Sequence, residues 1–151
     1  MLVFFNKIIM GASKFIRDQK KLYKSLRPIY CPILQQTVYF NSTGLNHILY
    51  NRRRPRNHNE QHYRAGLIPH ISNVISKATQ AIKVIKSENP LVVTWSIQHT
   101  VKDTKGIQQT VKVILIKNGA GNVYFLSVMA KRNNSKLDRQ QKSTKKPRKK
   151  F

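Results

Sequence analysis

The chain has 151 residues and carries 29 lysines and arginines against five acids, a formal charge of +24. This length suits about one domain, and the charge points to a polyanionic partner, either nucleic acid or an anionic membrane surface. The acids are scattered singly, which disfavours a carboxylate-rich Mg²⁺ or Ca²⁺ site and a paired-carboxylate glycosidase. The single cysteine, Cys31, excludes an internal disulfide and a multi-cysteine zinc site. We expect a cytoplasmic protein without metal or cofactor.

Residues 1–27 predict an N-terminal amphipathic helix. Apolar side chains recur near helical spacing from Leu2 to about Tyr23. The apolar run at the start is too short to span a bilayer, and Lys7 interrupts it. Attachment of this segment to a membrane surface is the less favoured alternative.

Residues 28–130 predict an α+β domain that starts with a connector and a strand. Two prolines in Arg27–Pro32 stop the helix and favour extended backbone. Cys31 has no histidine close in sequence, so a buried or half-buried thiol is much better supported than a nucleophile. Residues Gln36–Asn41 are rich in β-branched and aromatic side chains and predict a strand.

A short helix is expected after this strand, capped by Ser42 or Thr43. Its apolar side chains share one face, and His47 lies about 150° from their centre on a helical wheel. His47 should therefore face away from the apolar stripe. The next segment, Asn51–Arg64, is polar and basic around Pro55, which predicts a loop. Taken alone, such a loop binds phosphate without specificity.

The strongest helical periodicity runs from Ile68 to Lys86, where apolar residues follow the i, i+3, i+4, i+7 pattern. Pro69 suits the first turn of this helix. If the helix extended back without a break, Arg64 would lie on its apolar face and His62 opposite. An inward arginine is uncommon unless it is paired or serves a site. With so few acids in the chain, a site is favoured.

The rest of the chain predicts an antiparallel meander and a basic tail. Strands are predicted over Leu91–Thr100, Ile107–Lys117 and Asn122–Ala130, with turns between them. Together with the earlier strand they would form a small four-stranded antiparallel sheet on which the helices pack, an α+β fold. Residues 131–151 hold ten lysines and arginines and one acid, which predicts a disordered tail. The chain without this tail keeps a formal charge of +15, because 29 − 10 basic residues face 5 − 1 acids.

The side chains left for chemistry are those of His, Arg, Lys, Tyr, Ser and Thr. The sequence holds no glycine-rich phosphate loop, His-Glu-x-x-His or Gly-x-Ser-x-Gly motif. The remaining groups suffice to cleave RNA, because RNA supplies its own nucleophile. A base removes the 2′-hydroxyl proton, an acid protonates the leaving 5′ oxygen, and cations stabilise the charged phosphorane. Histidine can serve as either acid or base, and arginine can hold phosphate oxygens with two bonds.

A series of motifs runs from Cys31 to Met129. It comprises a Cys-Pro, a strand ending in Phe, Gly-x-x-His on a helix, basic residues, an Arg before a Leu-x-Pro helix, and a last strand with two aromatics near Ser-Val. These are Cys31-Pro32, Phe40, Gly44-Leu45-Asn46-His47, Arg52–Arg54, Arg64 before Leu67-Ile68-Pro69, and Tyr124-Phe125-Leu126-Ser127-Val128. The series resembles the barnase/EndoU/colicin/RelE-like nuclease superfamily, and more closely a family of small proteins in or near its phage-type branch.

The resemblance implies a barnase/RelE-like fold and a metal-independent, toxin-like endoribonuclease. His47 would be the general base or acid, Arg64 would hold the scissile phosphate, and Ser127 would orient it. Substrate-binding positions would be Arg52, Arg53, Arg54, His62, Lys117 and Tyr124. The chain departs from the family pattern at two points. The middle strand of the family often has a basic residue before its turn, where this chain has Ile116 and then Lys117 as a substitute. Barnase-type enzymes also often use a glutamate, and Glu60 is the only acid near the motif. Expected partners are RNA, either transfer or ribosomal, and an acidic immunity or antitoxin protein.

The rival hypothesis is a basic protein that binds RNA or the ribosome without cutting it. The charge of +24 fits both hypotheses. The convergence of His47, Arg64 and Ser127 on one cleft is the feature that separates them.

Overall fold

The computed structural model describes residues 2–85 and 88–132. The helices there are α1 (Leu2–Ser25), α2 (Ser42–Leu49), α3 (His58–Ala65) and α4 (Ile71–Lys77), with a 3₁₀ turn at Ile68–His70. The strands are β1 (Ile29–Cys31), β2 (Gln36–Tyr39), β3 (Tyr50–Asn51), β4 (Arg54–Pro55), β5 (Gln80–Ile85), β6 (Val92–Lys102), β7 (Gln108–Asn118) and β8 (Val123–Arg132). The fold class is α+β, as predicted.

Six strands form one mixed sheet in the order β1-β2-β8-β7-β6-β5. Strands β2 and β8 run parallel and pair Val38 with Val123 and Tyr39 with Tyr124, whereas the other neighbours are antiparallel. The predicted meander is confirmed as β6, β7 and β8. The prediction of a four-stranded, wholly antiparallel sheet is wrong, because β1 and β5 add two strands and the β2–β8 pair is parallel.

The long helix predicted from Ile68 to Lys86 is wrong in its second half. Helix α4 ends at Lys77. Gln80–Ile85 form strand β5, and every residue of β5 pairs antiparallel with a residue of β6. Isoleucine and valine favour extended backbone, and the edge of β6 supplies partners for their backbone groups. Ile82 is 62% exposed, although the helical pattern had placed it in the core.

One hydrophobic core joins the helices to the inner face of the sheet. Its fully buried side chains include Ile48 of α2, Ile71 and Ile75 of α4, Val113 of β7 and Phe125 of β8. Burial of each such side chain contributes roughly 1.5–3 kcal/mol of transfer free energy. The first half of the predicted stripe is thus confirmed as core.

Cys31 and Tyr23 are buried at the margins of this core. Cys31 is fully buried as a free thiol, as predicted, and burial raises its pKa. The Tyr23 hydroxyl donates a hydrogen bond to the Asn41 carbonyl oxygen at 2.6 Å. Burial also raises the pKa of Tyr23 to about 12.

Gly44 allows α2 to approach β8 closely. A Cβ atom at Gly44 would lie 2.5 Å from both Phe125 Cδ1 and the Tyr23 hydroxyl oxygen, and 2.8 Å from the Phe125 carbonyl oxygen. Asn41 caps the helix, since its Oδ1 accepts a bond from the Gly44 backbone N–H at 3.4 Å. The cap predicted at Ser42 or Thr43 is therefore one or two residues too late.

The N-terminal helix and the start of the C-terminal tail bound the predicted domain. The N-terminal helix is confirmed as α1, and Phe15 and Ile16 pack against the core. Among the described residues, no helix combines the length and the apolar character needed to cross a membrane. Lys131 and Arg132 belong to β8, so the predicted tail starts two residues early, and its remainder lies outside the described residues.

Candidate functional site

A cleft of about 460 Å³ opens beside the exposed face of α2. We call it the His47 cleft; its lining is Thr43, Asn46, His47, Tyr50, Asn51, Arg52, Arg53 and Arg56. The lining thus combines one imidazole with three guanidinium groups, a phenol, two amides and a hydroxyl, and it includes no carboxylate. Such a surface attracts anions, above all phosphate oxygens.

His47 reaches this cleft because of the amphipathic pattern of α2. Leu45, Ile48 and Leu49 are buried on the core side of the helix, and His47 is exposed on the other side. The orientation predicted for His47 is therefore confirmed.

A tight hairpin presents two of the arginines. Strands β3 and β4 pair Tyr50 with Pro55 and Asn51 with Arg54, which leaves Arg52 and Arg53 as the two turn residues. Both have left-handed backbone, with φ of 49° and 73°. Positive φ at both central positions is the pattern of a type I′ hairpin turn, where Asn and Gly are the usual residues. Each arginine there costs roughly 1–3 kcal/mol of backbone strain. Residues that persist in strained positions are candidates for function.

Arg56 anchors the cleft to the end of α2. Its Nε donates a hydrogen bond to the His47 carbonyl oxygen at 3.1 Å, and its backbone N–H donates to the Leu49 carbonyl oxygen at 2.9 Å. Its Nη1 donates to Glu60 Oε1 at 2.9 Å. The guanidinium is thereby held between α2 and α3, with its side chain only 11% exposed.

The contacts continue from Glu60 to the sheet. Glu60 Oε1 also lies 3.3 Å from Arg64 Nε, and Arg64 Nη1 donates a hydrogen bond to Ser127 Oγ at 3.3 Å. Burial, followed by the charge of Arg56, lowers the pKa of Arg64, and Glu60 opposes this effect. Arg64 nevertheless stays charged near neutral pH, as guanidinium groups do in proteins.

The predicted catalytic residues fall into two groups. Arg64 contacts Ser127 and is also paired with Glu60, and its side chain is largely buried. The unbroken helix from which its inward position was predicted is absent, because α3 ends at Ala65 and α4 begins at Ile71. His47 lines its cleft with Arg52 and Arg53, whereas neither Arg64 nor Ser127 belongs to that lining, so the three residues expected to converge on one cleft do not all line it. Arg56 and Glu60 connect the two groups.

The other predicted substrate-binding residues are dispersed. Arg54 is exposed on β4 and lies outside the lining of the His47 cleft. His62 stacks on Phe15 of α1, with ring centroids 4.2 Å apart and planes 14° apart. Lys117 pairs with Val123 near the end of β7. Tyr124 lies beside Tyr39 on the sheet, with ring centroids 6.1 Å apart, and lines a second, smaller cleft.

The sequence-based interpretation missed α3 and the roles of Arg56 and Glu60. The polar composition of residues 51–64 had predicted a loop, but Asn57 Oδ1 caps a helix there by accepting from the Glu60 backbone N–H at 2.8 Å. The spacing of Arg56, Glu60 and Arg64 is i, i+4 twice, the arrangement that lets opposite charges meet on a helix. This spacing was the available signal.

Comparison with protein-family profiles, curated proteins and solved structures gives no match.

Proposed function

We propose that this protein binds RNA and cleaves it without a metal ion, with His47 as an acid–base group. The observation that carries the proposal is the exposed imidazole of His47 in a cleft lined by Arg52, Arg53 and Arg56 and by no carboxylate. A surface that only attracts phosphate needs cations. It has no need of an imidazole among them.

The proposed reaction uses the nucleophile that RNA carries. The 2′ oxygen attacks the adjacent phosphorus, the bond to the 5′ oxygen breaks, and a 2′,3′-cyclic phosphate and a 5′-hydroxyl result. His47 either takes the proton from the 2′-hydroxyl or gives one to the leaving oxygen. The arginines bind the non-bridging oxygens, whose negative charge grows as the phosphorane forms. DNA has no 2′-hydroxyl and is not cleaved in this scheme.

In this proposal Arg64 and Ser127 are positioning residues. Arg64 contacts Glu60, and Glu60 binds the guanidinium of Arg56, which lines the His47 cleft. Ser127 accepts a hydrogen bond from Nη1 of the same Arg64 guanidinium. We infer that this series of contacts fixes Arg56 for phosphate binding.

Three further expectations belong to the same proposal. The barnase/RelE-like arrangement is supported by the motif order and by an α+β fold with α2 and α4 packed on one sheet. A cytoplasmic location suits a nuclease that acts on transfer or ribosomal RNA. An acidic immunity or antitoxin protein would match the formal charge of +24.

A non-catalytic RNA- or ribosome-binding protein is the second candidate. It is favoured by one observation, namely that Arg64 and Ser127 do not line the His47 cleft. A binder needs the arginines of the cleft but not the convergence of all three predicted catalytic residues.

Incubation of the purified protein with transfer RNA and ribosomal RNA in EDTA separates the two candidates. The nuclease proposal predicts discrete cuts whose upstream fragments end in 2′,3′-cyclic phosphate. Intact RNA that is nevertheless bound, as seen by a mobility shift, would favour the binder. A His99→Ala variant is the matched control, because His99 lies on β6 and lines neither cleft.

A further inference from the structure

A second cleft lies where the parallel strands β2 and β8 part. We call it the Tyr124 cleft; its lining is Asn41, Thr43, Ile116, Asn118, Tyr124, Phe125 and Leu126, and its volume is about 280 Å³. Strand β2 ends at Tyr39, beside Tyr124, while β8 continues. In the pairing with β7, Phe125 lies opposite Leu115 and Ser127 lies opposite Ile114. Leu126 is therefore the extra residue of a β-bulge. Bulges often re-aim side chains next to functional sites.

The two clefts are neighbours on the surface. Thr43, in the first turn of α2, lines both of them. A ligand that passes over Thr43 therefore meets the guanidinium groups of Arg52 and Arg53 on one side and the ring of Tyr124 on the other. The clefts together form a groove with a cationic part and an aromatic part.

The Tyr124 cleft has the groups that bind a nucleobase. The Tyr124 ring offers a face for stacking, and Ile116 and Leu126 add apolar surface. Asn118 stands exposed at the end of β7 and carries an amide donor and acceptor. The Oδ1 atom of Asn41 accepts the helix-capping bond, so its Nδ2 is the donor left for a ligand. The lining contains no charged side chain, unlike that of the His47 cleft.

We propose that the groove binds single-stranded nucleic acid, with a phosphate in the His47 cleft and a neighbouring base against Tyr124. The inference rests on the proposed function and specifies its substrate: a single strand with an accessible base. Bases inside a duplex are stacked on their neighbours and cannot place a face on Tyr124. The basic surface still attracts duplexes, but the Tyr124 cleft does not contribute to that binding.

Binding of fluorescein-labelled DNA to the full chain tests this inference, since DNA cannot undergo the proposed cleavage. Three probes of about eight nucleotides are compared, a length within the usual range of single-strand sites. They are a single strand, the same strand with abasic positions throughout, and its duplex. The variants are Tyr124→Leu, which keeps an apolar side chain in the strand, and Tyr124→Phe, which keeps the ring. Tyr30→Leu is the matched control, because Tyr30 is exposed on the edge strand β1 and lines neither cleft.

Tyr124→Leu should weaken binding of the base-containing single strand by about 5- to 150-fold, the usual effect of losing one stacked base. The affinity of Tyr124→Leu for the abasic strand and for the duplex should stay within about twofold of wild type. Tyr124→Phe and Tyr30→Leu should stay within about twofold of wild type on all three probes. An equal loss on all three probes, or no loss on the base-containing strand, would overturn the inference. Failure of the proposed nuclease function can be told apart from failure of this inference. It would appear as intact RNA in EDTA and would leave these DNA affinities unchanged.

Discussion

Arg64 Nη1 donates a hydrogen bond to the hydroxyl of Ser127 at 3.3 Å and joins two residues that lie 63 positions apart in the sequence. Its Nε contacts Glu60, which also accepts a bond from Arg56 at the wall of the His47 cleft. A single guanidinium thus ties α3 to β8 and, through Glu60, to the cleft. The integrity of the cleft should depend on this residue although it lies outside the lining.

Arg64→Ala should therefore lower the free energy of unfolding by about 1–3 kcal/mol, because the nearly buried Ser127 hydroxyl and Glu60 each lose a partner. Urea denaturation measures the change. Arg54→Ala removes the same charge from an exposed site on β4 and should shift stability by less than about 0.5 kcal/mol. Equal effects of the two substitutions would contradict a structural role for the Arg64–Ser127 contact.

The Arg52-Arg53 turn should lower the stability of the fold while its two cations strengthen RNA binding. The double substitution Arg52→Asn with Arg53→Gly places the residues preferred in such a turn at both left-handed positions. It should raise the free energy of unfolding by about 1 kcal/mol or more, and it should weaken RNA binding because two cations leave the His47 cleft. Each lost phosphate contact should also flatten the dependence of log Kd on log salt by about one unit. Unchanged RNA affinity in this variant would show that the strained arginines do not bind phosphate.

Gly44→Ala should destabilise the fold even though alanine favours helix. The added methyl group would meet Phe125 and Tyr23 at distances that require α2 to move away from β8. Overpacking of this kind typically costs about 1–3 kcal/mol, which exceeds the gain in helix propensity of about 1 kcal/mol. Ser42→Ala, at the exposed first residue of the same helix, is the control for chemical denaturation. A more stable Gly44→Ala variant would mean that the α2–β8 contact accommodates a methyl group without strain.

Tyr23 should make stability depend on alkaline pH. Its pKa rises from the ordinary 10.0 to about 12 in the folded chain, chiefly because of burial. Above pH 10 the unfolded chain loses the phenol proton first, so the folded state is favoured less and less as the pH rises toward 12. Tyr23→Phe removes this term, at a cost of about 1 kcal/mol at neutral pH for the lost hydrogen bond to Asn41.

The stabilities of wild type and Tyr23→Phe, measured by unfolding from pH 8 to 12, should therefore converge and then cross as the pH rises, because a pKa rise of this size outweighs about 1 kcal/mol. Tyr30→Phe, which alters an exposed tyrosine, should run parallel to wild type. A stability difference between wild type and Tyr23→Phe that stays constant across the window would argue against the burial effect on Tyr23.

The sequence predicted those elements whose pattern was unambiguous. The strands β6, β7 and β8 were found to within one residue at their starts, and the exposed side of α2 was correctly given to His47. The helix prediction for the stretch around Ile82 was wrong because the spacing of its isoleucines and valines fits both a helical and an extended pattern. The available edge of β6, a long-range feature, decided between them.

The site was predictable only in part for a similar reason. Spacing on one helix can suggest that Arg64 points inward, but its contact with Ser127 depends on how α3 meets β8. The sharing of Thr43 by two clefts likewise depends on the parallel pairing of β2 with β8, which local sequence does not encode.

The cleavage rate of His47→Ala, measured beside its RNA affinity in EDTA, shows whether His47 acts as an acid–base group. The substitution should lower the single-turnover rate by about 100-fold or more, as loss of an acid–base group does. Affinity should stay within about twofold, because Arg52, Arg53 and Arg56 keep their charges, and His99→Ala should match wild type in both. Cleavage by His47→Ala at the wild-type rate, or a wild-type protein that binds RNA and never cuts it, would contradict the account.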